Sequence, residues 1–207
     1  MSAAGPPQGA NCAPLGGSAA AKAASTGAVH PAGVVVLAVG NRSRGDDALG
    51  PLLLDRLRDW LAAGDRGADF ELIEDFQLQI EHALDLAGRR LVLFVDAGTG
   101  TPAPCAFCAT AAAHPHGSHS THALAPAAVL GVYRQITGED PPPAFVLCVR
   151  GERFELGEDL SGSARAHAEA AWRQLVALCE RPDLAHWRES AARAGRIQQA
   201  EDAATAG

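Results

Sequence analysis

The sequence predicts a single α/β domain: a mostly parallel, twisted sheet with helices on both faces, in three layers. Short apolar runs rich in β-branched residues alternate with amphipathic segments of helical spacing, which is typical of such sheets. The chain has 207 residues, enough for one domain with a substantial core and too few for two ordinary ones. Hydrophobic residues make up 47% of the chain and charged residues 20%, which indicates a globular protein.

The first half of the predicted domain contains three strands and two helices. The apolar run from Val34 to Val39 has the composition of a buried parallel strand. After Gly40, leucines at four-residue spacing predict a helix that Asp46 or Asp47 can cap. We then expect a strand around 70–73, a short helix around 80–86 and a third strand at 91–96, which is broken by Gly98.

The second half adds two strands and two helices. A weaker strand is expected at 103–110, a helix at 125–135 and a buried strand at 144–149. Ser161 is the expected cap of a final amphipathic helix that runs to about Cys179. The predicted domain therefore covers residues 33–180. Residues 181–207 form a polar, Ala-rich tail compatible with a frayed helix, and residues 1–30, rich in Ala, Gly and Pro, form a disordered extension.

Charge and composition argue against several classes of partner. The formal net charge is −7 and the arginines are scattered, so binding to a nucleic-acid backbone is disfavoured. No apolar run approaches the roughly 20 residues that span a bilayer. The N-terminal extension lacks the basic start and apolar stretch of a signal peptide, and an odd number of cysteines, five, favours free thiols in a reducing compartment. We therefore expect a cytoplasmic protein.

The turn from Gly40 to Gly50 joins the first strand to a helix and is the main candidate for the functional site. Ligands of open α/β sheets bind beyond the carboxyl ends of the strands, which here means just after Val39, Val95 and Val149. A phosphate-binding loop is disfavoured because two aspartates stand where such a loop has Lys and Ser or Thr. A nucleophile elbow is disfavoured as well, because Asn41 replaces the first glycine of its G-x-S-x-G pattern around Ser43.

Two interpretations of the acidic turn remain open. Asp46 and Asp47 can cap the helix, each contributing about 0.3–1 kcal/mol through its dipole. Alternatively, one of them joins Asp96, which ends the third strand, and a nearby histidine in an O,O,N site for a divalent ion. His122 stands directly before a helical segment, whereas the rest of its loop (His114, His116 and His119) is typical of solvated or adventitious metal-binding histidines.

A zinc site at Cys105 and Cys108 is a weaker candidate. The C-x-x-C spacing has no second pair of ligands elsewhere in the chain. The two side chains would also lie on opposite faces of a strand. Whether this pair, or the histidine loop, binds metal stays open at this level.

Three motifs together resemble the hydrogenase maturation endopeptidases, which process the large subunit of nickel–iron hydrogenases. They are V-G-N-R-S-R-G-D-D-A-L-G after the first strand, F-V-D-A at the end of the third and S-T-H-A-L before a helix, in the family's order. The resemblance covers about Val34 to Cys179. It implies a twisted α/β sheet and a protease that removes a C-terminal extension from a hydrogenase large-subunit precursor after nickel insertion.

The resemblance also assigns residues. The family's metal-contacting groups fall on Asp47, Asp96 and His122, which are the predicted metal-binding and catalytic residues, and Asp46 matches a neighbouring acid with a structural role. The implied ion is nickel delivered within the substrate rather than a resident cofactor. The segments E-D-F-Q-L-Q-I-E-H-A-L-D-L and R-G-E-R-F-E-L-G-E-D-L-S resemble the subgroup serving bidirectional, NAD-linked hydrogenases, and Glu152 and Glu155 in the second are either substrate contacts or solvated carboxylates.

Three rival functions remain. The first is another α/β metal hydrolase with resident zinc or manganese at the same three residues, because oxygen and nitrogen ligands also accept those ions. The second is a chaperone-like module that binds the nickel centre without cutting. The third, a nucleotide-binding module, is disfavoured by the acidic turn.

Overall fold

The computed structural model describes residues 33–113 and 124–205. Within these ranges, five strands form one sheet in the order β2-β1-β3-β5-β4. The strands are β1 (Val34–Val39), β2 (Phe70–Asp75), β3 (Leu91–Gly98), β4 (Cys105–Thr110) and β5 (Ala144–Arg150). All neighbouring pairs are parallel except β4 and β5, which are antiparallel. The predicted fold class is confirmed.

Five helices in the described part of the chain connect or follow the strands; β4 follows β3 directly, and the last two helices are consecutive. They are α1 (Leu49–Ala63), α2 (His82–Asp85), α3 (Pro126–Thr137), α4 (Gly162–Glu180) and α5 (Leu184–Thr205), with 3₁₀ turns at Gly45–Ala48 and Gly67–Asp69. The Ser161 Oγ accepts a hydrogen bond from the backbone N–H of Ala164 at 3.1 Å, so the predicted cap of α4 is confirmed.

The sheet is covered on both faces because alternate residues of each central strand point to opposite sides. On β1, Val34, Val36 and Ala38 pack with α1, α4 and α5, while Val35, Leu37 and Val39 pack with α2 and α3. Every residue of β1 is buried, as expected of a central strand in a parallel sheet. The apolar runs of the sequence are therefore continuous because both of their faces lie in the core.

Residues beyond 180 contribute to this core. Trp187, in the first turn of α5, is completely buried and packs edge-on against the rings of Phe107 and Phe145. Its indole N–H donates to the backbone oxygen of Leu178 at 3.0 Å, which satisfies the buried polar end of the ring. The segment predicted as a polar tail is thus a 22-residue helix that begins inside the packed structure.

The candidate zinc pair does not share a face of the sheet. Cys105 packs against the side covered by α4 and α5, and Cys108 against the side covered by α2 and α3. The two sulfurs therefore cannot bind one ion from β4. The N-terminal extension (1–30) and the histidine-rich loop lie outside the described residues. Within the part of the chain that the structure describes, no helix is long and apolar enough to cross a membrane.

Candidate functional site

The chain reverses its direction of progress across the sheet between β1 and β3. After β1 it moves outward to β2, and then returns to the other side of β1 to form β3. Such a switch point opens a crevice at the carboxyl ends of the two strands, where α/β proteins bind ligands. A pocket of about 410 Å³ lies there, lined by Val39, Gly40, Arg44, Asp47, Phe76, Gln77, Leu78, Asp96, Ala97, Gly98, Thr99, Leu124 and Phe154.

Two glycines allow the acidic turn to fold tightly onto these strand ends. Gly40 has φ +142°, and a side chain there would collide with the backbone oxygen of Asp47. A side chain at Gly50 would collide with the backbone oxygen of Val39 and would come within 3.1 Å of that of Val95. Both positions therefore require glycine. The glycines let the turn approach the strand ends closely, and this brings Asp47 over the edge of the sheet.

Asp47 and Asp96 line the pocket from its two sides, as the sequence predicted from their positions after neighbouring strands. The Asp47 carboxylate accepts one hydrogen bond, from the backbone N–H of Asn41 at 3.1 Å. Asp96 also accepts one, from the backbone N–H of Ala97 at 2.7 Å. Among the described residues neither forms an ion pair. Each carboxylate therefore keeps oxygen lone pairs that no described residue uses.

Burial is the largest influence on the pKa of both carboxyl groups. Burial, together with a smaller effect of the nearby charge of Asp47, raises the pKa of Asp96 to about 6 against the lowering effect of the Ala97 N–H. Burial also raises the pKa of Asp47, while the N–H of Asn41 and the charge of Arg44 oppose that shift. Two carboxylates that repel each other in a partly dry pocket form a site whose ionised state a bound cation would stabilise.

Asp46 lies in a different environment. It is completely buried, and its carboxylate accepts hydrogen bonds from the backbone N–H groups of Glu152, Arg153 and Ser161 at 2.8, 3.0 and 2.7 Å. The Ser161 hydroxyl donates a fourth, at 2.9 Å. Burial alone would raise the pKa of Asp46, but these donors outweigh it and hold the pKa below its ordinary value.

The expectation that Asp46 or Asp47 caps α1 is wrong. The capping position of α1 is Ala48, and neither the helix nor the 3₁₀ turn before it has a side-chain cap. Asp46 instead joins the turn to the loop between β5 and α4, and it positions Ser161, which caps α4. The turn enters α1 through a 3₁₀ segment, so the geometry that would point an aspartate at the first amides of α1 does not arise.

His122, the third predicted ligand, lies outside the described residues. The first described residue after that gap, Leu124, lines the pocket and donates its backbone N–H to the Leu78 oxygen at 3.3 Å. Within residues 33–113 and 124–205, no three His, Cys, Asp or Glu side chains come together in a metal-binding group. The described part of the site is thus a pair of carboxylates, Asp47 and Asp96.

Glu152 and Glu155 do not line the pocket. The Glu152 carboxylate accepts from the hydroxyl of Ser163, and that of Glu155 from the backbone N–H of Phe154. The pocket residues that the sequence did not single out include Arg44, Phe76, Thr99 and Phe154. Thr99 follows the end of β3, where the strand-end rule already pointed, whereas Phe154 reaches the pocket only because Asp46 holds its loop in place.

The fold is that of the hydrogenase maturation proteases. The maturation endopeptidase HybD from E. coli is 25% identical to the chain, with a TM-score of 0.55, over 71% of this chain and 92% of that one. The maturation protease HycI from Thermococcus kodakarensis is 24% identical with a TM-score of 0.54, over the same shares. A further endopeptidase from Escherichia coli is 23% identical with a TM-score of 0.52, again over those shares. No protein-family model and no curated protein sequence matches the chain.

These likenesses confirm the predicted fold, including its mostly parallel sheet with helices on both faces. The likeness to HybD, itself an endopeptidase, supports the prediction that the chain is a protease enzyme. The shared region covers 92% of each of these two neighbours, so nearly all of their length has a counterpart in this chain.

Proposed function

We propose that this protein is an endopeptidase that removes the C-terminal extension of a nickel–iron hydrogenase large-subunit precursor after nickel insertion. The observation that carries the proposal is the pair of carboxylates, Asp47 and Asp96, facing one pocket at the switch point of a fold shared with maturation endopeptidases. Both carboxylates lie in a partly buried site and have oxygen lone pairs that accept no hydrogen bond from the described residues. This is the environment expected of side chains that bind a metal ion.

The nickel centre of the precursor is the substrate group that these residues would recognise. Carboxylate oxygens and an imidazole nitrogen suit a divalent first-row ion and leave positions open for the precursor's own ligands. His122 would supply the nitrogen. It precedes the pocket residue Leu124 by two positions, and two extended residues span at most about 7 Å. As the family resemblance implies, nickel would arrive with the substrate.

In this proposal the ion anchors the precursor, and the chain's residues hold the peptide beside it. The N–H of Asn41 fixes the Asp47 carboxylate, and that of Ala97 fixes the Asp96 carboxylate, so the two ligands are oriented before substrate arrives. The anchored ion would position the scissile bond and can polarise its carbonyl or a water molecule.

Two segments near the pocket support a proposal for the class of the precursor. The loop after β2 contributes Phe76, Gln77 and Leu78 to the lining, and the loop after β5 contributes Phe154. Both segments resemble those of the subgroup that serves bidirectional, NAD-linked hydrogenases. We therefore propose a cytoplasmic precursor of that class as the substrate.

The decisive experiment incubates the purified protein with nickel-loaded and nickel-free hydrogenase precursor and measures the mass of the product. We expect the loaded precursor alone to lose its C-terminal extension. We expect Asp47→Ala, Asp96→Ala and His122→Ala to abolish cleavage while retaining the fold, and Asp140→Ala, an exposed carboxylate outside the pocket, to leave cleavage unchanged.

Each contrary outcome points to a different function. Cleavage by all three variants would contradict the site. Equal cleavage of loaded and nickel-free precursor would contradict recognition through nickel. An unchanged precursor mass would favour a chaperone that binds the centre without cutting. Zinc or manganese retained through purification, with cleavage of generic peptides, would favour a resident-metal hydrolase.

A further inference from the structure

Two hydrogen-bonding groups on the pocket wall have capacity that the described protein does not use. They belong to Arg44, on the acidic turn, and to Thr99, just after β3, two residues that line the pocket. They differ in kind from Asp47 and Asp96, which accept hydrogen bonds when ionised, because an arginine donates only and a threonine hydroxyl can donate. The pocket therefore carries a donor pair beside its acceptor pair.

One bond orients Arg44 and leaves most of its donors unused. Its Nε–H donates to the backbone oxygen of Phe154 at 3.1 Å. The guanidinium lies close enough to Asp47 to lower the pKa of that carboxyl, but it forms no ion pair with any described residue. Its two terminal nitrogens find no acceptor in the described ranges, so their N–H groups remain available at the pocket.

The Thr99 hydroxyl is a second unused group. Its Oγ1 is buried and has no hydrogen-bond partner among the residues of 33–113 and 124–205. By contrast, the hydroxyl of nearby Thr101 lies 2.8 Å from the sulfur of Cys148. A buried hydroxyl without a partner costs free energy, and folded proteins rarely keep one without a role.

We propose that Arg44 and Thr99 form a subsite that donates hydrogen bonds to peptide carbonyl oxygens of the precursor next to the scissile bond. The inference rests on the proposed function and adds to it the residues that bind the peptide backbone of the precursor, in addition to those that bind the metal. With its carboxylates ionised, the pocket holds two negative groups and one positive group. A neutral carbonyl therefore meets less repulsion there than an anionic group would. The aromatic side chains of Phe76 and Phe154 add apolar wall for the peptide.

Thr99→Val tests the subsite by separating function from stability. Valine keeps the shape but removes a hydroxyl that has no partner, so the free energy of unfolding should stay the same or rise. The precursor should bind and be cleaved less well, with kcat/KM lower by about 3- to 10-fold through a higher KM. The matched control is Thr137→Val on α3, whose hydroxyl donates to the Tyr133 oxygen, and which should lose stability but not activity.

Arg44→Gln should lower kcat/KM by about 10- to 100-fold, because a charged donor with two free nitrogens is lost. Arg44→Lys should recover part of that loss, since it keeps the charge without the fork. The control is Arg153→Gln, in the neighbouring loop, whose side chain lies 3.4 Å from Glu158 and does not line the pocket. It should behave as the wild type.

The affinity of each variant for the nickel-loaded precursor, measured by titration calorimetry, separates this inference from the proposed function. A wild-type protein that never cleaves the precursor contradicts the proposed function. Equal dissociation constants for the wild type, Thr99→Val and Arg44→Gln overturn the subsite, whether or not cleavage occurs. Weaker binding by both variants, with both controls unchanged, supports it.

Discussion

Asp46 and Asp47 are neighbours in sequence and lie in opposite environments. Asp46 accepts four hydrogen bonds and is sealed from solvent. Asp47 accepts one and faces the pocket together with Asp96. The pKa of Asp46 is lowered, and those of the two pocket carboxylates are raised. The difference separates a carboxylate that stabilises the fold from carboxylates that the fold keeps under-satisfied, which is the usual condition of a binding group.

The largest expected effect is on Asp46. Asp46→Ala leaves three buried backbone N–H groups and the Ser161 hydroxyl without their acceptor, and should lower the free energy of unfolding by about 3–5 kcal/mol. Urea denaturation at pH 7 measures this. Because the folded pKa is depressed, the stabilisation is present above the unfolded pKa and is lost as the pH falls through the folded value. A loss below about 1 kcal/mol at pH 7 would contradict the structural role.

Asp96→Asn should act in the opposite direction. Its pKa of about 6 in the folded chain exceeds the ordinary value near 3.9, so the folded state binds more protons between these values. The stability of the wild type should therefore fall as the pH rises from about 4 to about 6. The variant removes this penalty and should gain about 1–3 kcal/mol at pH 7.5, in the absence of metal, and little at pH 4. If the difference in the free energy of unfolding between Asp96→Asn and the wild type stays the same across this pH range, the prediction is contradicted.

Asp47→Asn should give the smallest change of the three, with the same sign as Asp96→Asn. Burial raises the pKa of Asp47, but the N–H of Asn41 and the charge of Arg44 partly compensate. The gain in the free energy of unfolding should therefore be a fraction of that for Asp96→Asn under the same conditions. Thermal melts of both variants measured side by side rank their gains in stability. A loss of stability in Asp47→Asn would instead indicate that Asp47 stabilises the fold, as Asp46 does.

The fold was largely readable from the sequence. Apolar runs in the sequence predict the buried strands. The strand predicted at Val34 to Val39 has the same bounds in the structure. The helix after it begins at Leu49, the first leucine of the four-residue spacing, and the residues from Gly45 to Ala48, where an aspartate cap was expected, form a 3₁₀ turn. The docking of Trp187 was not predicted, since a single aromatic residue in a polar helix gives no periodic signal.

The site was readable only in part. The strand-end rule placed the acidic turn and Asp96 at one edge, and the family resemblance selected Asp47 rather than Asp46. The structure brings Asp47 and Asp96 into one pocket. The role of Asp46 was not readable, because its partners lie 106 to 115 residues away in sequence, in a loop without regular structure. The unpaired donors of Arg44 and Thr99 were not predictable either. Whether a donor finds an acceptor depends on the tertiary structure, which the local sequence does not encode.

The bonds of Asp46 also bear on the order in which the pocket forms during folding. Val34 to Thr99 supply the strand ends and both pocket carboxylates, but the wall that carries Phe154 closes only when Ser161 meets Asp46. Loops of that length close at an entropic cost that few early contacts repay, so this junction should form late. In a nascent chain, Asp47 and Asp96 would lie at an uncovered edge of the sheet until β5 and α4 have folded. The pocket would thereby be complete only when the fold is complete.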